Sequence, residues 1–118
     1  MGARHLVRAA DGAVVCSDLA VADRFWPRFK GLLGRRSLEP GEGLLIRPAS
    51  SIHMFGMRFA IDAVFLNEDG EIRRIASDLA PWRAASCRGA RDVVELPAGR
   101  AAELGLSTGQ QLVVVTPG

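Results

Sequence analysis

A chain of 118 residues is the size of one domain, and with 48% hydrophobic and 24% charged residues it can bury a core without disulfide or metal staples. Its formal charge is +2, with fifteen basic and thirteen acidic residues interspersed, which argues against a nucleic-acid surface and against a disordered segment. No apolar run approaches the ~20 residues of a membrane span, and the first fifteen residues hold no long apolar h-region, so the expected location is the cytoplasm. Lys30 is the only lysine, and the preference for Arg reads as compositional bias rather than chemistry.

Taken in order, the chain opens on two short apolar runs, 6–10 and 13–16, around Asp11-Gly12. That dipeptide tolerates positive φ at both turn positions and predicts a β-hairpin. Asp23 is a candidate N-cap for a helix whose Phe25, Trp26, Phe29, Leu32 and Leu33 recur at helical spacing, with Pro27 in its first turn and Gly34 at its end. Residues 37–43 contain Pro40-Gly41 and read as a turn, and 44–46 as a short buried strand.

The longest apolar stretch is 50–70. Residues 52–55 and 59–66 pattern as strand, bent at Gly56, and Asn67-Glu68-Asp69-Gly70 predicts a hairpin returning over 71–76 with room for a bulge. Residues 77–92 lack periodicity and read as loop. A strand over 93–96 leads to a helix starting at Pro97 and stopping at Gly105, and a last strand covers 111–116. About seven short strands and two short helices, without a βαβ series, predict a mainly β fold: a compact antiparallel β-sandwich or barrel with the helices packed outside, in a single domain over 1–118. Cys16 and Cys87 fit no CxxC spacing and are expected to be free, buried thiols.

Five segments, taken together and in this order, carry a resemblance: RFKGLLGR (28–35), LEPGEGLLI (38–46), SIHMFGMRFAIDAVFLNEDG (51–70), VVELPAG (93–99) and GLSTGQQL (105–112). They resemble the motifs of the domain-of-unknown-function 192 family, a group of small prokaryotic proteins. The resemblance covers about four fifths of the chain and implies a compact, mainly β single domain, bacterial in type, with no established activity. Many members resemble secreted or lipid-anchored versions, whereas this sequence begins directly at its first hairpin. Where many members have a Trp-Met pair, this chain has His53-Met54.

Residues whose chemistry exceeds the needs of a core strand cluster in the same stretch. His53, Met54 and Met57 are soft enough to ligate copper, but adjacent strand residues face opposite ways and Met is a routine core filler, so no metal and no cofactor is expected. Arg58 and Asp62 share a strand face at i, i+4 yet lie ~13 Å apart along it, too far for a direct ion pair. Asp62, between Ile61 and Ala63, must accept hydrogen bonds or face a solvated groove. Ser50 or Ser51 with His53 and Asp62 has the composition of a hydrolytic triad without its elbow or oxyanion signature.

The favoured reading is therefore a non-catalytic ligand- or partner-binding module. Its candidate pocket is lined by His53, Met54, Arg58 and Asp62, with Glu42 and Trp82 at the rim and Arg35 available to an anion. The partner is expected to be a small ligand or a protein, with no nucleic acid and no membrane span; the oligomeric state is left open. One alternative is a hydrolase-like enzyme using His53 with Asp62 or Glu42 as acid and base. Another is an oligomeric or interaction module.

Overall fold

The computed structural model describes residues 4–22 and 35–117. The helix expected over 23–34 lies outside these residues. The described residues form ten strands: β1 (His5–Arg8), β2 (Val14–Cys16), β3 (Asp18–Ala22), β4 (Glu42–Ile46), β5 (Ser51–His53), β6 (Ile61–Leu66), β7 (Ile72–Leu79), β8 (Ala84–Ser86), β9 (Asp92–Pro97) and β10 (Leu112–Val115). One short helix, α1 (Arg100–Glu103), precedes β10. The architecture is mainly β, as the patterning predicts, and is not a closed barrel.

The strands form three sheets, ordered β10-β1-β2, β3-β4-β9-β6-β7 and β5-β8. The middle sheet carries apolar residues on both faces, which explains why all six residues of β6 are buried. One face packs with Leu6, Val15 and Cys16 of the first sheet in a core that includes Leu45, Val64, Val94 and Leu96. The other face packs Leu44, Ile46, Phe65 and Val93 with Ile52 and Ala85 of the two-stranded sheet and with Met54 just past β5. The result is three layers with two cores.

Several elements depart from the sequence reading. The five-stranded sheet is mixed, because β3 pairs with β4 in parallel while every other pairing is antiparallel. β3 carries two buried positions three apart, Leu19 in the first core and Ala22 in the second, so it shows no strand alternation to mark it beside the helical pattern that follows. β7 runs to Leu79 and β8 lies at 84–86, inside the segment read as loop. Their Ala, Ser, Arg and Asp residues have little β-propensity, so cross-strand partners rather than composition decide their conformation. Pro97 ends β9; α1 begins three residues later, with Gly99 at its N-cap in the left-handed region (φ 91°). Cys16 is buried and Cys87 half-buried, and both are free thiols.

The 67–70 turn is clipped to β10. Asn67 Oδ1 accepts the N–H groups of Asp69 and Glu71, and Gln111 Nε2 donates to the Asp69 carbonyl at 2.7 Å. Leu112 N–H donates to the Gly70 carbonyl at 2.9 Å, which ties the first sheet to the edge of the second.

Candidate functional site

Among the described residues, the two-stranded sheet and its flanking turns combine exposed aromatic rings with charge of one sign. Its register pairs Ser51 with Ser86, Ile52 with Ala85 and His53 with Ala84. Ile52 and Ala85 point into the second core, so the flanking positions, His53 among them, point to solvent. Beyond His53 the two strands end in apposed turns. Met57 N–H donates to the Met54 carbonyl across one, and Arg83 N–H donates to the Ala80 carbonyl across the other. Trp82 N–H donates to the same Met54 carbonyl at 2.8 Å and joins them.

Each turn has its third residue at positive φ: Gly56 at 77° in the first, Trp82 at 69° in the second. That geometry, with Pro81 at the second position, is a type II turn, whose third position favours glycine. A tryptophan there costs on the order of 1–3 kcal/mol of backbone strain. In return its ring stands out: Trp82 is 67% exposed and Phe55 59%. The ring centroids of Phe55 and Trp82 lie 5.9 Å apart and those of His53 and Phe55 5.6 Å apart, making a continuous aromatic strip. The segments 50–60 and 80–91 that build this layer contain Arg58, Arg83, Arg88 and Arg91 and no acidic residue. All four are exposed.

The sequence-derived candidates therefore divide. His53 and Trp82 belong to one strip, with Arg58 on the same layer and Met54 buried beneath as packing. Phe55, which completes the strip, was not among the candidates; its place between His53 and Gly56 is the only signal the sequence offers.

Asp62 lies elsewhere and is 1% exposed. Its Oδ1 accepts the Asp78 N–H at 2.9 Å, and its Oδ2 accepts the Gly99 N–H at 3.1 Å and the Ala101 N–H at 2.9 Å. The carboxylate thus caps α1 from a neighbouring strand and fixes Asp78, which has a positive φ of 53°. Glu42 accepts the Glu39 N–H and a guanidinium N–H of Arg35, both at 2.8 Å, and these two contacts in that order hold its carboxyl below the ordinary range. Among the described residues no hydrogen bond joins His53 to Asp62 or Glu42, so the acid–base pair of a hydrolase is not assembled. Nor does any group of three or more His, Cys, Asp or Glu side chains among them have the arrangement to hold a metal ion.

Two further carboxyls are out of the ordinary. Glu95 is 4% exposed, aligned between Leu44 and Ala63 in the second core, and its Oε2 has no hydrogen-bond partner among the described residues. Burial alone pushes it up to about 7. Asp92 starts the same strand. Burial raises its carboxyl too, and the nearby Arg47 and Arg91 charges counter this only in part.

The family profile described as "Uncharacterized ACR", DUF192, matches residues 6–114. The chain belongs to this family. Among curated relatives, a UPF0127 protein of Pyrococcus furiosus is 32% identical over 114 residues, covering 91% of this chain and 95% of that one. A UPF0127 protein of Thermococcus sibiricus is 30% identical over 99 residues; the match covers 80% of this chain and 64% of the Thermococcus protein, which is thus considerably longer. Among solved structures, a Sinorhizobium meliloti protein provisionally described as a transcription regulator has a TM-score of 0.81 and 27% identity, covering 94% of this chain and 91% of that one. A Novosphingobium aromaticivorans protein of unknown function has a TM-score of 0.80 at 22% identity, over 93% of this chain and 82% of its own, and shows the shared fold. Among the described residues of this DUF192 chain, no helix is long and apolar enough to cross a membrane.

Proposed function

We propose that this DUF192 protein is a non-catalytic binding module that docks an acidic, extended segment of a protein partner on the His53–Phe55–Trp82 strip. The observation that carries the reading is Trp82 itself. A turn position suited to glycine holds the largest side chain in the strained conformation, and two thirds of it faces solvent. Core packing does not require that arrangement. Aromatic and Arg side chains dominate binding energy at protein interfaces, because they bring large area and bidentate hydrogen bonds together. Arg58, Arg83, Arg88 and Arg91 set the sign of the partner as negative.

An extended peptide suits the strip better than single-stranded nucleic acid. The three rings already contact one another at 5.6 and 5.9 Å, which leaves no slot for a base between them. The chain's net charge of +2 also supports few phosphate contacts. The provisional description of the Sinorhizobium protein makes nucleic acid the competitor to test.

The test is an NMR titration of the full chain with a synthetic Glu/Phe-rich peptide, with oligothymidylate in parallel. Saturable shifts confined to residues 53–58 and 80–84, weakened by salt and lost at least tenfold in Trp82→Gly, are expected. Tighter binding of the oligonucleotide, or full peptide binding by the folded Trp82→Gly protein, would sink the reading.

A further inference from the structure

The two-stranded sheet that leads into the aromatic strip has two edges, and they differ. Met54 N–H donates to the Arg83 carbonyl and Cys87 N–H to the Ser50 carbonyl. Bonded and non-bonded pairs alternate along an antiparallel ladder, so residues 50, 52 and 54 bond across the sheet. The N–H and C=O groups of Ser51 and His53 point away from β8, and those of Ala84 and Ser86 point away from β5. On the β8 side the Ser86 carbonyl accepts a guanidinium N–H of Arg74, which closes that edge against β7. On the β5 side, among the described residues, no main-chain group bonds to Ser51 or His53. Both residues are exposed.

β5 also lacks the features that keep an edge strand from accepting a neighbour. Ser51-Ile52-His53 holds no lysine, proline or acidic residue, and its register with β8 runs without a bulge. Resting on the strip docking proposed above, we infer that the acidic segment joins this sheet as a third strand along the outer edge of β5. Ser51 and His53 present two donors and two acceptors to it. Residues opposite one another in neighbouring strands share a face, so the partner residue paired with His53 directs its side chain to the solvent side, beside the His53 and Phe55 rings. Main-chain bonds then supply affinity, and the rings and guanidinium groups select the side chains. A second copy of this chain is the poorer occupant. Its own β5 edge would bring four more arginines and no acid from segments 50–60 and 80–91.

Amide hydrogen exchange of the full chain, followed by NMR with the Glu/Phe-rich peptide, tests strand addition. The Ser51 and His53 amides should exchange freely in the unbound protein and slow by about tenfold or more at saturating peptide. N-methylation of the peptide should cost about tenfold or more in affinity at alternate residues, those facing β5, and little at the residues between. Ser51→Pro removes one outward donor and spares the bonds to β8, a change that edge strands tolerate, and should weaken binding by a similar factor.

Saturable shifts at residues 53–58 and 80–84 without protection of Ser51 and His53, or with every N-methyl position tolerated, would overturn strand addition and leave docking on the strip standing. So would full affinity in a folded Ser51→Pro protein. No binding of the peptide at all would overturn both. Slow exchange at Ser51 and His53 in the unbound protein would mean that the edge is already closed, and protection that grows with protein concentration alone would assign it to a second copy; either result overturns the inference.

Discussion

At the scale of single residues, two buried carboxyls on neighbouring strands have opposite circumstances. Asp62 is satisfied by three backbone N–H donors. Its replacement by Ala would leave those donors without an acceptor in the interior and is expected to cost about 3 kcal/mol or more in denaturant unfolding. Glu95 is buried, and its Oε2 has no hydrogen-bond partner among the described residues. The folded group titrates near 7 against 4.5 for the ordinary carboxyl. Below about pH 4.5 folded and unfolded chains both hold the proton. Between 4.5 and 7 the unfolded chain has released it and the folded protein has not, so stability falls as pH rises, by about 3 kcal/mol in all. Glu95→Gln should flatten this window and exceed the wild type in stability at pH 8 while matching it near pH 4; parallel curves for the two proteins would show that Glu95 is not the cause. The sequence marks both carboxyls in the same way, as an acid inside an apolar run. It does not distinguish them, because the donors that satisfy Asp62 lie 16, 37 and 39 residues away along the chain.

At the scale of elements, the sequence was legible where local chemistry decides the conformation. Asp11-Gly12 makes its hairpin, with Gly12 N–H donating to the Arg8 carbonyl, and Asn67 to Gly70 make theirs. It was not legible at β8, whose Ala-Ala-Ser becomes a strand only because β5 pairs with it. The apposed turns show the same limit. Gly56 was visible as a bend, whereas Trp82 in a glycine-type position was not, since a bulky residue at positive φ runs against propensity. Trp82→Gly should therefore leave the midpoint of thermal unfolding unchanged or raise stability by about 1 kcal/mol, as relief of strain outweighs the entropy glycine adds to the unfolded chain. Gly70→Ala should do the reverse. It places a methyl 2.5 Å from the Leu112 carbonyl oxygen, and separating the turn from β10 should cost about 3 kcal/mol. A Gly70→Ala protein as stable as the wild type would mean that the turn and β10 move apart freely.

At the scale of the whole molecule, the two cysteines report on different layers. Cys16 sits in the first core at 1% exposure, with its thiol pushed up to about 11 by burial. A Cβ on Gly43 would meet its Sγ at 2.8 Å, so middle-sheet backbone lies directly against it. Cys87 is half-buried against the second core, one residue past β8, and its N–H donates to the Ser50 carbonyl. The thiolate is the reactive form, so Cys16 reacts only when the first and middle sheets separate. That separation breaks the first core and amounts to global unfolding. Cys87 needs the two-stranded layer to lift, and among the described residues that layer is held to the middle sheet by Ile52, Met54 and Ala85 in the second core and by the Arg74 guanidinium donating to the Ser86 carbonyl. A thiol reagent under native conditions is therefore expected to modify Cys87 in a fast phase and Cys16 in a slow one. Gly43→Ala, which overpacks the Cys16 site, should accelerate the slow phase alone, by about tenfold for each 1.4 kcal/mol of lost stability when opening is in rapid equilibrium. Mass spectrometry of partly labelled protein distinguishes the sites. Equal rates at the two cysteines would mean that the three layers open as one unit and that the aromatic strip is as firmly held as the core beneath it.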